Sequence, residues 1–188
     1  MRSERLFKEV SNEWSRIAGT QPNERLPREE QTRCIIYALL RPDYEVLCAE
    51  RGYGPVDSSS FTTCDLWGTH EGSPDMFMEI KHAWESRSLN NKPTEQYAKW
   101  LWDLTKLEGV TVEADRYFVL VGFFETDPLT VRNPPLKSVL ACIGRLPVAR
   151  LVHQESASCQ WRSEHLHHVA VWVWHWPAGD VMEDFTSL

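Results

Sequence analysis

From Ser3 to about Ala18 the apolar residues Leu6, Phe7, Val10, Trp14 and Ile17 recur at helical spacing with polar residues between them, which predicts an amphipathic helix. The segment GTQPNERLP interrupts it. A second helix is expected from near Pro27 through REEQTRCIIYALL to Leu40, with Pro27 in the first turn, Pro42 ending the run, and Ile35, Leu39 and their neighbours on its core face. YEVLCAE has strand composition, and RGYGPVDSSS reads as a loop. Phe61 to Trp67 and Met76 to Trp84 then read as strands joined by the turn GTHEGSPD, an antiparallel hairpin that makes the three strands a meander.

A further helix is predicted over Pro93 to Glu108, with Tyr97, Trp100, Leu101, Leu104 and Leu107 on one face and Gly109 as its stop. RYFVLVGFF is apolar on both faces, so it should be a central strand covered by helices, parallel to a neighbour because a helix precedes it. A Pro-rich loop leads to a short helix around Leu136 to Ile143, and VAVWVWHW supplies the last strand. This order predicts an α/β (α+β) three-layer domain, a central mixed sheet flanked by helices. Residues 1–188 are expected to form one domain, with a core of about 27–125, an N-terminal helix and a C-terminal helix-strand extension.

Composition narrows the function. No apolar run approaches the roughly 20 residues of a membrane helix, and MRSERLFKEV lacks the apolar core of a signal peptide, so a soluble, cytoplasmic protein is expected. Five cysteines at 34, 48, 64, 142 and 159 form no CxxC pair, and three lie in apolar segments, which favours buried free thiols over disulfides or a structural zinc. A net charge of −7 argues against general polyanion binding, so any nucleic-acid role must rest on a local basic surface or on bound cations.

The chemistry concentrates in CDLWGTHEGSPDMFMEIKHAW, Cys64 to Trp84. Alternation along a strand puts Phe77, Glu79 and Lys81 on one face and Met78, Ile80 and His82 on the other. Opposite charges in an apolar strand are costly unless they are paired or bind something, and a structural cross-strand ion pair satisfies that requirement as well as a site does. Asp65 changes the balance. If the two strands pair through the turn, Asp65 and Glu79 come together on one face, where two carboxylates repel unless a divalent cation sits between them. Oxygen ligands of this kind suit Mg²⁺ or Mn²⁺, which would polarise a phosphodiester and activate a water that Lys81 orients.

Asp65, thirteen intervening residues and then Glu79-Ile80-Lys81 together resemble the PD-(D/E)XK nuclease superfamily, the restriction-endonuclease-like fold. The resemblance covers about half the chain, Glu29 to Glu125, as helix, three antiparallel strands, helix, strand. Cys64 stands where the family has Pro, and a literal Pro74-Asp75 lies close before Glu79; Asp75 is four strand residues from Glu79, roughly 13 Å, too far for a shared ion. The resemblance implies Asp65, Glu79 and Ile80 at the metal and Lys81 in catalysis. It also implies a glutamate from the first core helix, Glu30 or its neighbour Glu29, although a first-turn glutamate serves equally as a dipole partner. Gln96 matches a polar active-site position of some members, although a solvated helix position explains it more simply, and Glu50 at the end of the first strand is within reach of the same cluster or, as is usual for a strand-end glutamate, solvated.

The implied function is Mg²⁺- or Mn²⁺-dependent hydrolysis of phosphodiester bonds, in DNA first. The alternatives are an inactive binding or scaffold protein on the same fold and an RNA-directed hydrolase. A homodimer, or a protein partner on the aromatic C-terminal strand, is an expected assembly. HLHH at 165–168 with His153 and His175 lacks zinc-motif spacing. Trp172, Trp174 and Trp176 share a strand face suited to core packing or a partner surface. GYG lacks the Lys and helix of a phosphate loop, and GPVDSSSF is no nucleophile elbow.

Overall fold

The computed structural model describes residues 2–20, 28–52, 63–71, 73–84, 93–108, 110, 113–132, 137, 140, 150–161 and 166–178. Its elements are α1 (Arg2–Thr20), α2 (Glu29–Leu40), a 3-10 turn (Arg41–Asp43), β1 (Val46–Gly52), β2 (Thr63–His70), β3 (Ser73–Trp84), α3 (Pro93–Glu108), β4 (Asp115–Phe124), β5 (Arg150–Trp161) and β6 (Leu166–Trp176). The six strands form one mixed sheet in the order β1-β2-β3-β4-β6-β5. Among the described strands only β3 and β4 run parallel, joined through α3. The fold class is therefore α+β as expected, with three helices flanking the sheet.

Strand alternation divides the interior in two. On one face Phe7, Val10 and Trp14 of α1 and Ile36 and Leu40 of α2 pack on Met76, Met78, Ile80, Val119 and Val121. On the other, Trp100, Leu104 and Leu107 of α3 pack on Phe77, Phe118 and Leu120. Trp172, Trp174 and Trp176 are buried on that second face, so they are core side chains. β4 is buried along nearly its whole length, as its continuous apolar run requires. Buried Arg116 reaches from β4 to the Leu107 and Glu108 carbonyls at the α3 C-terminus, each at 3.5 Å, where a cation suits the helix dipole.

Several expectations are corrected. The buried stripe of α2 is Thr32, Ile36 and Leu40, while Leu39 is exposed and Ile35 half-buried. The helix is thus turned by one residue, about 100°. On α3, Leu101 is exposed. The hairpin turn is tighter than GTHEGSPD: pairing continues to His70↔Ser73, with a bulge between Gly68 and Thr69 that leaves Asp75 outside the ladder. Glu71 takes the turn at φ 52°. β5 had no counterpart in the sequence reading. The helix expected at 136–143 lies, apart from residues 137 and 140, outside the described residues. Cys64 and Cys159 are buried free thiols, but Cys34 is exposed; Cys142 is not among the described residues. No described helix is long and apolar enough to cross a membrane.

Candidate active site

The site forms where β2 and β3 part. Their ladder runs from the hairpin to Leu66↔Met78. Beyond it the Ile80 amide donates to Asp65 Oδ2 at 2.7 Å. Continuing the register puts Asp65 opposite Glu79, and alternation puts Glu79 and Lys81 on the same face. Lys81 Nζ then stands 3.4 Å from Asp65 Oδ2 and 3.5 Å from Glu79 Oε2.

Two helices complete the cluster. From α3, Asp103 lies 3.3 Å from Lys81 Nζ, and Lys106 Nζ lies 2.6 Å from Asp103 and 3.0 Å from Glu79 Oε1. From α2, Glu29 Oε1 is 3.6 Å from Lys81 Nζ, and Arg33 Nη1 is 3.6 Å from Asp65 Oδ1. Glu29, Arg33, Ile36 and Leu40 follow i, i+4, i+7, i+11, one helical stripe whose apolar end enters the core and whose charged end reaches the site. Four carboxylates thus meet three cations.

The electrostatics reflect that excess. Glu79, only 2% exposed, has its carboxyl pushed up to about 7 by burial and then by Asp65, against the pull of Lys81 and Lys106. Burial raises Glu29 as well. Burial alone would lower Lys81, yet Asp65, Glu29, Glu79 and Asp103 outweigh it and raise the ammonium. Lys106 is raised in the same way, through its hydrogen bond to Asp103. Lys81 therefore stays charged at any physiological pH, while Glu79 hovers between its two states. Burial pushes the Cys64 thiol up to about 12, so it is no nucleophile.

Of the residues picked from the sequence, Asp65, Glu79 and Lys81 come together. Ile80 adjoins them through its main chain only, its side chain being buried in the opposite core. Glu30 is exposed and takes no part in the ion pairs of this cluster; Glu29 reaches Lys81 in its place, a direct result of the turned helix. Gln96 falls in the first turn of α3 and Glu50 in β1, and their side chains lie outside the described residues. Arg33, Asp103 and Lys106 were missed. Each sits at the margin of an apolar helical stripe, a position that reads as solvated surface, although Asp103 and Lys106 are only 14% and 13% exposed. His175 pairs with Asp115 at 2.9 Å and His153 with Glu155 at 3.7 Å.

Among the described residues, no three His, Cys, Asp or Glu side chains stand close enough to hold a metal by themselves. Asp65 and Glu79 nonetheless fit a hard divalent cation. Both present oxygen, both lie within 3.5 Å of one ammonium, and Glu79 carries the raised carboxyl that a nearby cation would relieve. Magnesium is held through one or two carboxylates, with water and phosphate oxygens filling the remaining positions. Comparison with protein-family models, curated proteins and solved structures finds no match to the chain.

Proposed function

We propose that the chain is a metal-dependent nuclease of the PD-(D/E)XK type on a restriction-endonuclease-like fold, hydrolysing phosphodiester bonds of DNA. The observation that carries this reading is the convergence of Asp65, Glu79 and Lys81 around a carboxylate that is 2% exposed, at the point where two strands separate. The order helix, three antiparallel strands, helix and a strand parallel to the third supports it.

Asp65, Glu79 and the main chain of Ile80 would hold a Mg²⁺ or Mn²⁺ ion, which when bound polarises the phosphodiester and lowers the pKa of a coordinated water. Asp65 is oriented by the Ile80 amide and Arg33. Lys81 is kept protonated by its carboxylates, so it acts as a donor that orients the attacking water and steadies charge developing on phosphate. Lys106 neutralises part of the Glu79 charge. With Arg33 and Lys81 it balances three of the four carboxylates, so attraction for a phosphate would come from the bound ion and not from a basic surface.

A second reading, a non-hydrolytic binding protein on the same fold, is favoured by one observation: Asp65 and Glu79 are already engaged by Arg33, Lys81 and Lys106. Plasmid cleavage with Mg²⁺ or Mn²⁺ and calorimetric Mn²⁺ titration separate the two. Saturable Mn²⁺ binding lost in Glu79→Ala, with cleavage lost in Asp65→Asn, is expected. Intact cleavage in Asp65→Asn and Lys81→Met sinks the nuclease reading; absence of Mn²⁺ binding in the wild type leaves the binding protein.

A further inference from the structure

On the opposite face of the sheet, between α1, the 3-10 turn and the β2–β3 hairpin, lies a cavity of about 770 Å³, well within the size range of small-molecule sites. We propose that it binds a small organic cation, an ammonium or guanidinium group on an apolar or aromatic body. This site is separate from the carboxylate cluster and independent of the nuclease reading.

Its floor is apolar and soft. Phe7, Met76 and Met78 line it and are almost fully buried, and methionine thioethers adapt to irregular ligands. Its walls are aromatic and held in place. Tyr44 lies against β2 at Gly68, where even a Cβ would come within 2.6 Å of the ring. Tyr117 sits 6.5 Å from Phe7, centroid to centroid, and stacks on His175 at 4.6 Å and 9°. His175 is itself fixed by Asp115 at 2.9 Å. The Tyr44 and Tyr117 rings that line the cavity offer π-systems that suit a cation.

The rim supplies the matching charge. Glu9, Asp43 and Asp75 are exposed at its edge beside His70, and among the described residues that line the cavity there is no Lys or Arg. Asp75 is there because the β3 bulge takes it out of the ladder. Burial, with Asp115, Tyr44 and Asp75 nearby, raises the Tyr117 phenol, so the pocket presents neutral rings and anionic carboxylates and disfavours an anion.

Calorimetry of the full chain with 2-phenylethylammonium, 2-phenylethanol and phenylacetate tests this directly. The ammonium should saturate at millimolar concentrations or below, the alcohol should bind at least about tenfold more weakly, and the carboxylate should not bind. Asp43→Asn with Asp75→Asn, both surface changes, should weaken the ammonium about tenfold and leave the alcohol unchanged. Lys81→Met should bind the ammonium as the wild type does. Equal binding of phenylacetate, wild-type affinity in the double variant, loss of binding in Lys81→Met, or no saturation by the ammonium would each overturn the proposal.

Discussion

Lys81 and His82 are neighbours on β3, yet each enters a different kind of buried polar network. His82 Nε2 lies 2.6 Å from the Thr32 hydroxyl, which accepts a hydrogen bond from the Trp14 indole at 2.9 Å. The rings of Trp14, His82 and Phe123 pack edge to face around that chain. Hydrogen bonds among buried polar groups of this kind specify how α1, α2 and β3 meet. On the other face Lys81 is surrounded by more carboxylates than the local cations balance, and one of them, Glu79, is held above its ordinary pKa. A hydrogen-bonded network of this kind contributes to the fold. A crowded one costs folding free energy, which a cation bound as proposed would offset.

The largest expected difference is between single variants at these two adjacent positions. Lys81→Met keeps the stem and removes the donor, so cleavage should fall by about 10²–10³-fold with the circular dichroism spectrum unchanged. His82→Gln should leave the cleavage rate within a few-fold and lower the unfolding midpoint. Loss of cleavage in His82→Gln with retention in Lys81→Met would reverse the roles of the two faces.

The next effect is on pH dependence. Glu79 titrates at about 7 in the folded protein against 4.5 in an unconstrained chain. Below 4.5 it is neutral in both states and costs nothing; above 7 it is ionised in both, and the folded state carries the whole penalty of about 3 kcal/mol. Its contribution to stability therefore falls as pH rises from about 4.5 to about 7. Glu79→Gln should remove that fall, making the variant more stable than the wild type in urea at about pH 8 and equal to it near pH 4. Mg²⁺ at pH 8 should stabilise the wild type and not the variant. Identical pH profiles for the two proteins would show that the crowding has no energetic consequence.

What was legible in the sequence follows from the same contrast. Asp65, Glu79 and Lys81 were found because strand alternation and hairpin register are properties of the chain itself. The amphipathic stripes of α1 and α3 were legible for the same reason, and α3 begins and ends at the expected Pro93 and Glu108. The helical contributors were not. Choosing Glu29 over Glu30 requires the rotation of α2 about its axis, and Ile35-Ile36 with Leu39-Leu40 offer two apolar stripes between which only tertiary packing decides. Asp103 and Lys106 at i, i+3 read as an ordinary surface pair until β3 lies beneath them. β5 escaped because its segment His153-Gln154-Glu155-Ser156 is polar; an edge strand paired with β6 alone does not need the apolar run that marked β4.

The smallest effect is the sharpest test of whether the two networks are independent, because α2 carries Thr32 into one and Glu29 with Arg33 into the other. Thr32→Val removes the group that accepts from Trp14 and meets His82, in a site that is fully buried. It should cost about 2 kcal/mol in urea unfolding, while Thr32→Ser, which keeps the hydroxyl, should cost less than about 1 kcal/mol. If the faces are separate, neither variant alters the cleavage rate or the stability slope between about pH 4.5 and 7. A Thr32→Val protein that lost cleavage, or whose pH slope flattened as in Glu79→Gln, would mean that the hydroxyl sets the rotation of α2, and through it the reach of Glu29 and Arg33. The fold network would then be part of the site.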